Sequence, residues 1–216
     1  MRTAKTIPLL ALLAFFICGA DEAVSAPSMQ DVLRQRLAQE QMARAKAGDG
    51  FSQVQLAKEY LNAPGNIATN KAAAHRWFQA AATNNMAEAQ WYFGEFFLNQ
   101  AVSVRGVTPS DKARRSQFAS VSLAWHTKAA KQGHFESLLI LGQQYEIGTV
   151  YGRDLVEAYR WYSLAIEKPG MGSRAPRSDL ERIAAALTPE KIELAKQRAQ
   201  TFAKSPAEPK KPTAPK

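Results

Sequence analysis

One block of residues comes round three times in this 216-residue chain. In each copy a small residue stands three positions before an aromatic, and after a break a Trp opens an alanine-rich stretch. The first copy has Leu56, Ala57 and Tyr60, then Trp77, Phe78 and Ala81. The second has Phe93, Gly94 and Phe97, then Trp125, Ala129 and Ala130; the third has Leu141, Gly142 and Tyr145, then Trp161, Tyr162 and Ala165. Apolar residues within each stretch recur at helical intervals, so each copy supplies two amphipathic helices. Repetition on this scale predicts a helical solenoid, in which each unit buries its apolar face against its neighbours. Such architectures mostly bind rather than catalyse.

Local signals place the breaks. In the first copy Ala63-Pro64-Gly65-Asn66 stops a helix, because Pro cannot continue it and Gly tolerates the conformation of a helix stop. Ala57, Gly94 and Gly142 lie mid-helix, where Gly costs about 1 kcal/mol relative to Ala. Close approach of a second helix explains that cost. The aromatics by themselves also fit the core of an ordinary helical bundle, but a bundle leaves the repeated order unexplained.

On these residues the chain resembles the Sel-1-like repeat family, a relative of the tetratricopeptide repeat. The resemblance is carried by Ala87-Glu88-Ala89-Gln90-Trp91-Tyr92-Phe93-Gly94, by the run from Trp125 to His134, and by Glu157-Ala158-Tyr159-Arg160-Trp161-Tyr162. It covers roughly residues 48 to 168. It departs from the family at Ala57, which replaces Gly, and at Asn84-Asn85, where Gln-Gly is usual; the latter weakens the turn assignment there. The resemblance implies an all-α, right-handed α-α superhelix of three helix-turn-helix repeats with capping helices at both ends. Its cysteine-rich branch is not a close match.

The segments outside the repeats have their own signals. Arg2 and Lys5, the apolar run Ile7–Ile17 and the small residues Cys18-Gly19-Ala20 read as a signal peptide over 1–20, cleaved before Asp21. The apolar run is shorter than the roughly 20 residues a membrane span needs. The alternative site, Val24-Ser25-Ala26, puts Pro27 just after the cut, and the bulky Ile17 before Cys18 makes a poor lipoprotein signal. Cleavage after Ala20 leaves no cysteine, which removes disulfides, thiolate metal sites and thiol nucleophiles together. Residues 21–49 read as an N-terminal capping helix starting at Ser28, with Asp31 three residues on and an apolar stripe through Val32, Leu33, Leu37, Met42 and Ala45. The array then spans 50–170, as units 50–86, 87–134 and 135–168, with an insertion at 101–121. Residues 171–203 read as C-terminal caps, with a loop over 169–178, a helix from Leu180 to Leu187 and another opened by Thr188-Pro189-Glu190. Residues 204–216, rich in Lys, Pro and Ala, read as a disordered tail. The tail is either simply solvated or makes weak contact with anionic envelope components.

Charge and histidine usage narrow the function. Of a net +9, the signal removes Arg2 and Lys5 and the tail carries +3, leaving +4 on the folded body. So mild an excess does not argue for nucleic acid. His75, His126 and His134 show no metal-ligand spacing, and no His-Glu-x-x-His string, nucleophile elbow or phosphate loop occurs. No cofactor or metal is expected.

The expected function is a non-catalytic protein-interaction scaffold or regulator, periplasmic or secreted. If the first helix of each unit lines a concave groove, as the resemblance implies, the groove presents Val54 and Lys58, then Trp91, Glu95 and Asn99, then Leu139, Gln143 and Glu146. Trp91 stands out because Trp is enriched at interface hot spots and its position differs between units, although it could instead pack against the first unit. Trp77 and Trp125 are 48 residues apart and Trp125 and Trp161 only 36, so about a dozen residues are inserted in the second unit. The insertion brings Arg105, Lys112, Arg114 and Arg115 beside Phe118, either as a basic patch for an acidic partner segment or as a solvated lengthening of a helix. The alternative function is a cell-wall hydrolase or peptidoglycan-binding factor using Glu95 and Glu146 as a carboxylate pair.

Overall fold

The computed structural model describes residues 28–62, 70–167 and 174–207. The signal-peptide segment, the break at 63–66 and the tail from residue 208 lie outside the described residues. Among those described the chain is all α, an α-α solenoid with no strand. Residues up to Ala38 form one unit and Gln39 onward a second. In the first, the opening turns of α1 (Met29–Lys46) leave Val32, Leu33 and Leu37 exposed. The expected apolar stripe is therefore sealed only further along, at half-buried Met42 and buried Ala45.

The second unit holds the repeats. They are the pairs α2 (Gly50–Asn62) with α3 (Lys71–Thr83), α4 (Ala87–Ser103) with α5 (Pro109–Lys131), and α6 (Phe135–Ile147) with α7 (Leu155–Ile166). Side-chain caps start the second helices. Asn70 accepts from the Ala73 N–H at 2.9 Å, and Asp154 accepts from the Val156 and Glu157 N–H groups at 2.9 and 3.1 Å. The same cap residues close the turn behind them: the Asn70 N–H donates to the Tyr60 carbonyl at 2.9 Å and the Asp154 N–H to that of Tyr145 at 2.8 Å. The middle pair breaks this pattern. There α4 runs six residues past Phe97 and α5 reaches 23 residues, so the insertion lengthens both helices.

The turns between pairs are identical in kind. Gly48, Asn85 and Gly133 all have positive φ, at 94°, 58° and 80°. Each is followed by a return bond at 3.0 to 3.1 Å, from Asp49 to Arg44, Met86 to Ala81 and His134 to Ala129. This is the left-handed closure that ends many helices, and Asn is the non-Gly residue that tolerates it best. The Asn84-Asn85 departure thus leaves the turn intact. The end of α1 makes the same turn as α3 and α5, so the repeat begins half a unit earlier than the threefold block suggests.

Buried amides tie each turn to the next. Asn84 donates through Nδ2 to the Gly48 carbonyl and to Gln53 Oε1, both at 3.0 Å. One unit later Gln132 donates through Nε2 to Asn85 Oδ1 at 3.0 Å and to Gln90 Oε1 at 2.8 Å. Gln53 and Gln90 complete the ladder, donating to the Ala45 carbonyl at 2.9 Å and to Asn85 Oδ1 at 2.6 Å. Gln53, Asn85 and Gln90 are buried, where an unpaired amide is costly.

Apolar packing fills the interior on either side. Val54, Ala57, Phe78, Ala81, Ala89 and Phe93 form one cluster; Leu138, Leu141, Trp161, Leu164 and Ala199 form another. The mid-helix glycines are where helices come closest. A Cβ on Gly142 would stand 2.8 Å from the Tyr162 ring, and one on Gly94 2.5 Å from that of His126. At the far end, α8 (Arg174–Ala184) starts earlier than expected. Residues 174–178 are helical rather than loop, because Pro176 falls in the first turn, where its missing N–H has no partner to lose. Thr188 caps α9 (Pro189–Lys204), as its sequence predicts; Lys204 ends that helix rather than starting a tail, and Ser205 caps it.

Gly142→Ala is expected to cost about 1–3 kcal/mol through overpacking against Tyr162, read as a lowered urea midpoint with an unchanged m-value. Gln132→Ala removes the donor to the buried Gln90 Oε1 and is expected to cost about 1–3 kcal/mol in the same measurement.

Candidate partner-binding surface

The first helices α2, α4 and α6 place the expected groove residues very differently. Val54 is 1% exposed and sits in the core with Ala57 and Phe78, so it cannot contact a partner. The register that turns residues 54, 57 and 61 inward leaves Lys58 at the edge of that face, half-exposed and paired with Glu88 of α4. Asn99 and Gln143 are exposed. Leu139 is half-buried and packs on two core clusters.

Glu146 is not a free carboxylate. It accepts from the Tyr162 hydroxyl at 3.1 Å and pairs with Arg182 of α8, and these contacts, Arg182 first, hold it below the ordinary glutamate range. A hydrolytic general acid needs the opposite shift. Arg115 is also committed, donating to the carbonyls of Val104 at 2.5 Å and Gly106 at 3.4 Å. Arg105, Lys112 and Arg114 remain exposed on the extended α5 and the loop before it.

Trp91 is half-buried on α4. Its indole stacks on His134, with ring centroids 5.6 Å apart and planes 26° off parallel, so its packing is toward the turn that opens the third unit. The indole Nε1 has no hydrogen-bond partner among the described residues. Glu88 lies one turn before Trp91 on the same helix face, and its charge is felt by His134. Lys58, Glu88, Trp91 and His134 thus form one continuous strip from the first unit to the third. His134 is also the cap of α6, its Nδ1 facing the Ser137 N–H at 3.4 Å.

The strip continues inward through Glu95 to a residue whose importance the spacing did not reveal. His126 occupies the position that Phe78 and Tyr162 fill in the flanking units, and like them it is buried. Its Nε2 lies 3.5 Å from Glu95 Oε1, and neither ring nitrogen has a hydrogen-bond partner among the described residues. Burial, aided by the nearby His134, lowers its imidazole to about 4, so the ring is neutral at pH 7. Burial moves Glu95 the other way, raising its carboxyl. Beside them, Ser122 donates to the Gly94 carbonyl at 2.8 Å, leaving the Tyr151 hydroxyl, 2.7 Å away, to donate to Ser122. The available sequence signal was a polar residue at an aromatic position of the repeat.

Among the described residues no cluster of three or more His, Cys, Asp or Glu could hold a metal, and no helix is long and apolar enough to cross a membrane. The Sel1 repeat profile matches residues 50–86, 119–134 and 136–169. The chain is similar to a Sel1 repeat protein from Oxalobacter formigenes, at 27% identity and a TM-score of 0.54, over 68% of this chain and 98% of that one. It also matches c5321, a protective antigen of uropathogenic Escherichia coli with an SLR fold. That match has 18% identity and a TM-score of 0.43, and covers 80% of this chain and 42% of that one. Among curated proteins none matches.

The buried imidazole makes stability depend on pH. Its native value of about 4 lies below the 6.5 of the unfolded chain, so the unfolded state takes up the proton first. The contribution is complete above pH 6.5 and is lost as pH falls toward 4. It amounts to about 2 kcal/mol between pH 7 and pH 5. Glu95 acts in the opposite sense, its contribution fading as pH rises above 4.5. His126→Phe, which restores the residue of the first unit, is expected to reduce the difference in unfolding free energy between pH 7 and pH 5. Urea titrations at the two values measure it.

Proposed function

Since the array of residues 50–169 belongs to the Sel1 repeat family, whose members generally serve as protein-interaction scaffolds, we propose a non-catalytic adaptor or regulator of the cell envelope. It engages a partner protein through the strip of Lys58, Glu88, Trp91 and His134. The observation that carries this reading is Trp91. A large, rigid aromatic lies half-buried against the His134 ring, in a place where the other two units have no equivalent ring. Aromatics so placed dominate interface energetics, because their area is large and partly organised before binding. The Lys58–Glu88 pair beside it is exposed enough to exchange with partner charges at little cost. Asn99 and Gln143 extend the surface with neutral hydrogen-bonding groups.

The envelope assignment rests on the N-terminal segment, where Arg2 and Lys5 precede an apolar run and a small-x-small site. In such a compartment a chain without cysteine after Asp21 depends on helix packing alone.

Photocrosslinking from Gln143 in intact cells, with and without Trp91→Ala, tests the reading. A captured protein lost at least tenfold in the variant is expected, with the far-UV CD and melting temperature of the purified variant confirming its fold. An unchanged set of captured proteins overturns the role of Trp91. A mature N-terminus at Asp21, read by terminal sequencing, is the expected outcome for export.

A further inference from the structure

The overrun of α4 and α5 is a built feature rather than slack. Thr108 and Asp111 form a reciprocal cap: the Asp111 N–H donates to Thr108 Oγ1 at 3.2 Å and the Thr108 N–H to Asp111 Oδ2 at 3.3 Å. Arg115 fastens the preceding loop through the Val104 and Gly106 carbonyls. Gly106 lies directly against the Asp111 carboxylate, leaving no room for a side chain. A loop held this firmly nonetheless leaves Val107 80% exposed, with Val102 at the end of α4 60% exposed beside it, and no residue of the loop belongs to a core cluster. Its rigidity stabilises a surface whose value lies in what it presents, since order established before binding lowers the entropic cost of binding.

That surface surrounds an open cleft of about 570 Å³, lined among others by Ser103, Arg105, Asp111, Arg114 and Phe118. Asp111, Arg114 and Phe118 follow one another at i, i+3 and i+7 along one face of α5. The single carboxylate in the cleft is occupied by its Thr108 contacts, which hold it below the usual aspartate range. Arg105 and Lys112 make no ion pair among the described residues. Phe118 closes the apolar end and continues a line of rings through Phe97 and Phe93 to Trp125, with centroid spacings of 6.3, 6.4 and 5.5 Å.

A basic rim around a cleft of mixed polarity, with Phe118 at its apolar end, specifies its ligand by complementarity. We propose that this cleft is a second docking site, independent of the Trp91 strip, for an acidic protein segment. Carboxylates of the segment pair with Arg105 and Arg114, Lys112 strengthens the field, and one large apolar side chain enters against Phe118. A flat anionic bilayer would meet the cations but leave the cleft floor empty, so the concave shape selects a peptide. Arg115 supports the site without touching the ligand.

Selection of a phage-displayed random twelve-residue peptide library on the purified protein, in 150 mM salt, tests this assignment. Parallel selections use R105E/R114E and Trp91→Ala, with anionic phosphatidylglycerol vesicles offered separately in a sedimentation assay. Peptides with Asp or Glu flanking a Leu, Ile, Phe or Trp are expected to be enriched on the unmodified protein and on Trp91→Ala. The best of them, measured by fluorescence anisotropy, is expected to bind R105E/R114E at least tenfold more weakly and to weaken when its apolar residue becomes Gly. Arg105 and Arg114 are exposed, so the charge-reversed protein should keep its melting temperature. Equal enrichment on R105E/R114E, no acidic-apolar enrichment, or Arg-dependent binding to vesicles alone would each overturn the proposal. Loss of the Trp91-dependent partner with this cleft intact would be a failure of the other site only.

Discussion

The buried amide ladder at the inter-unit turns is the contact on which the array's register depends. Apolar contacts close the helices together, most tightly where Gly94 and Gly142 admit the rings of His126 and Tyr162. Hydrogen bonds between Asn84 and Gln53, and between Gln132, Asn85 and Gln90, add a directional constraint at the turns. Each amide is satisfied at one geometry, and in a buried setting the alternative is an unpaired polar group. Asn85 does double duty, adopting the left-handed backbone that ends α3 while its side chain accepts from both Gln90 and Gln132. Gly would make the turn as well but could not join its neighbours.

The second unit departs from its neighbours at each level of structure. Its helices overrun, its turn-closing backbone bond is absent, and its core position holds His126 where Phe78 and Tyr162 stand on either side. Gly94 exists to admit that ring, as Gly142 admits Tyr162. A neutral imidazole against a half-buried Glu95 replaces the aromatic ring that fills this core position on either side. The two candidate docking surfaces, the Trp91 strip and the cleft before Phe118, both belong to this unit. Repetition supplies a rigid frame on both sides, and deviation from it supplies individuality.

Much of this was legible in the chain. Ala57, Gly94 and Gly142 announced close helix approaches, and Thr188-Pro189 announced the start of α9. Other features were hidden by their locality. Pro176 looked like a loop residue because nothing nearby said it would fall in a first turn. Asn84-Asn85 looked like a weakened turn, although Asn85 closes it in the left-handed backbone; what was hidden is the ladder that ties these side chains to Gln53, Gln90 and Gln132. Val54 and Lys58, one turn apart, looked like neighbours on one face, yet the inward register of α2 buries the first and exposes the second.

What the sequence by itself determined was the kind and number of helix pairs, because helical periodicity, caps and turn residues act over three to seven positions. Which polar side chains are free was decided only by the tertiary structure. Arg115 is withdrawn by carbonyls at Val104 and Gly106, Glu146 by Arg182 from 36 residues away, and His126 by burial against α4. Arg105, Lys112 and Arg114 have the same chemistry as their committed neighbour and differ from it in what the fold brings near. A side chain's availability is a property of its three-dimensional neighbours, and those are fixed by packing between units rather than by the pattern within one.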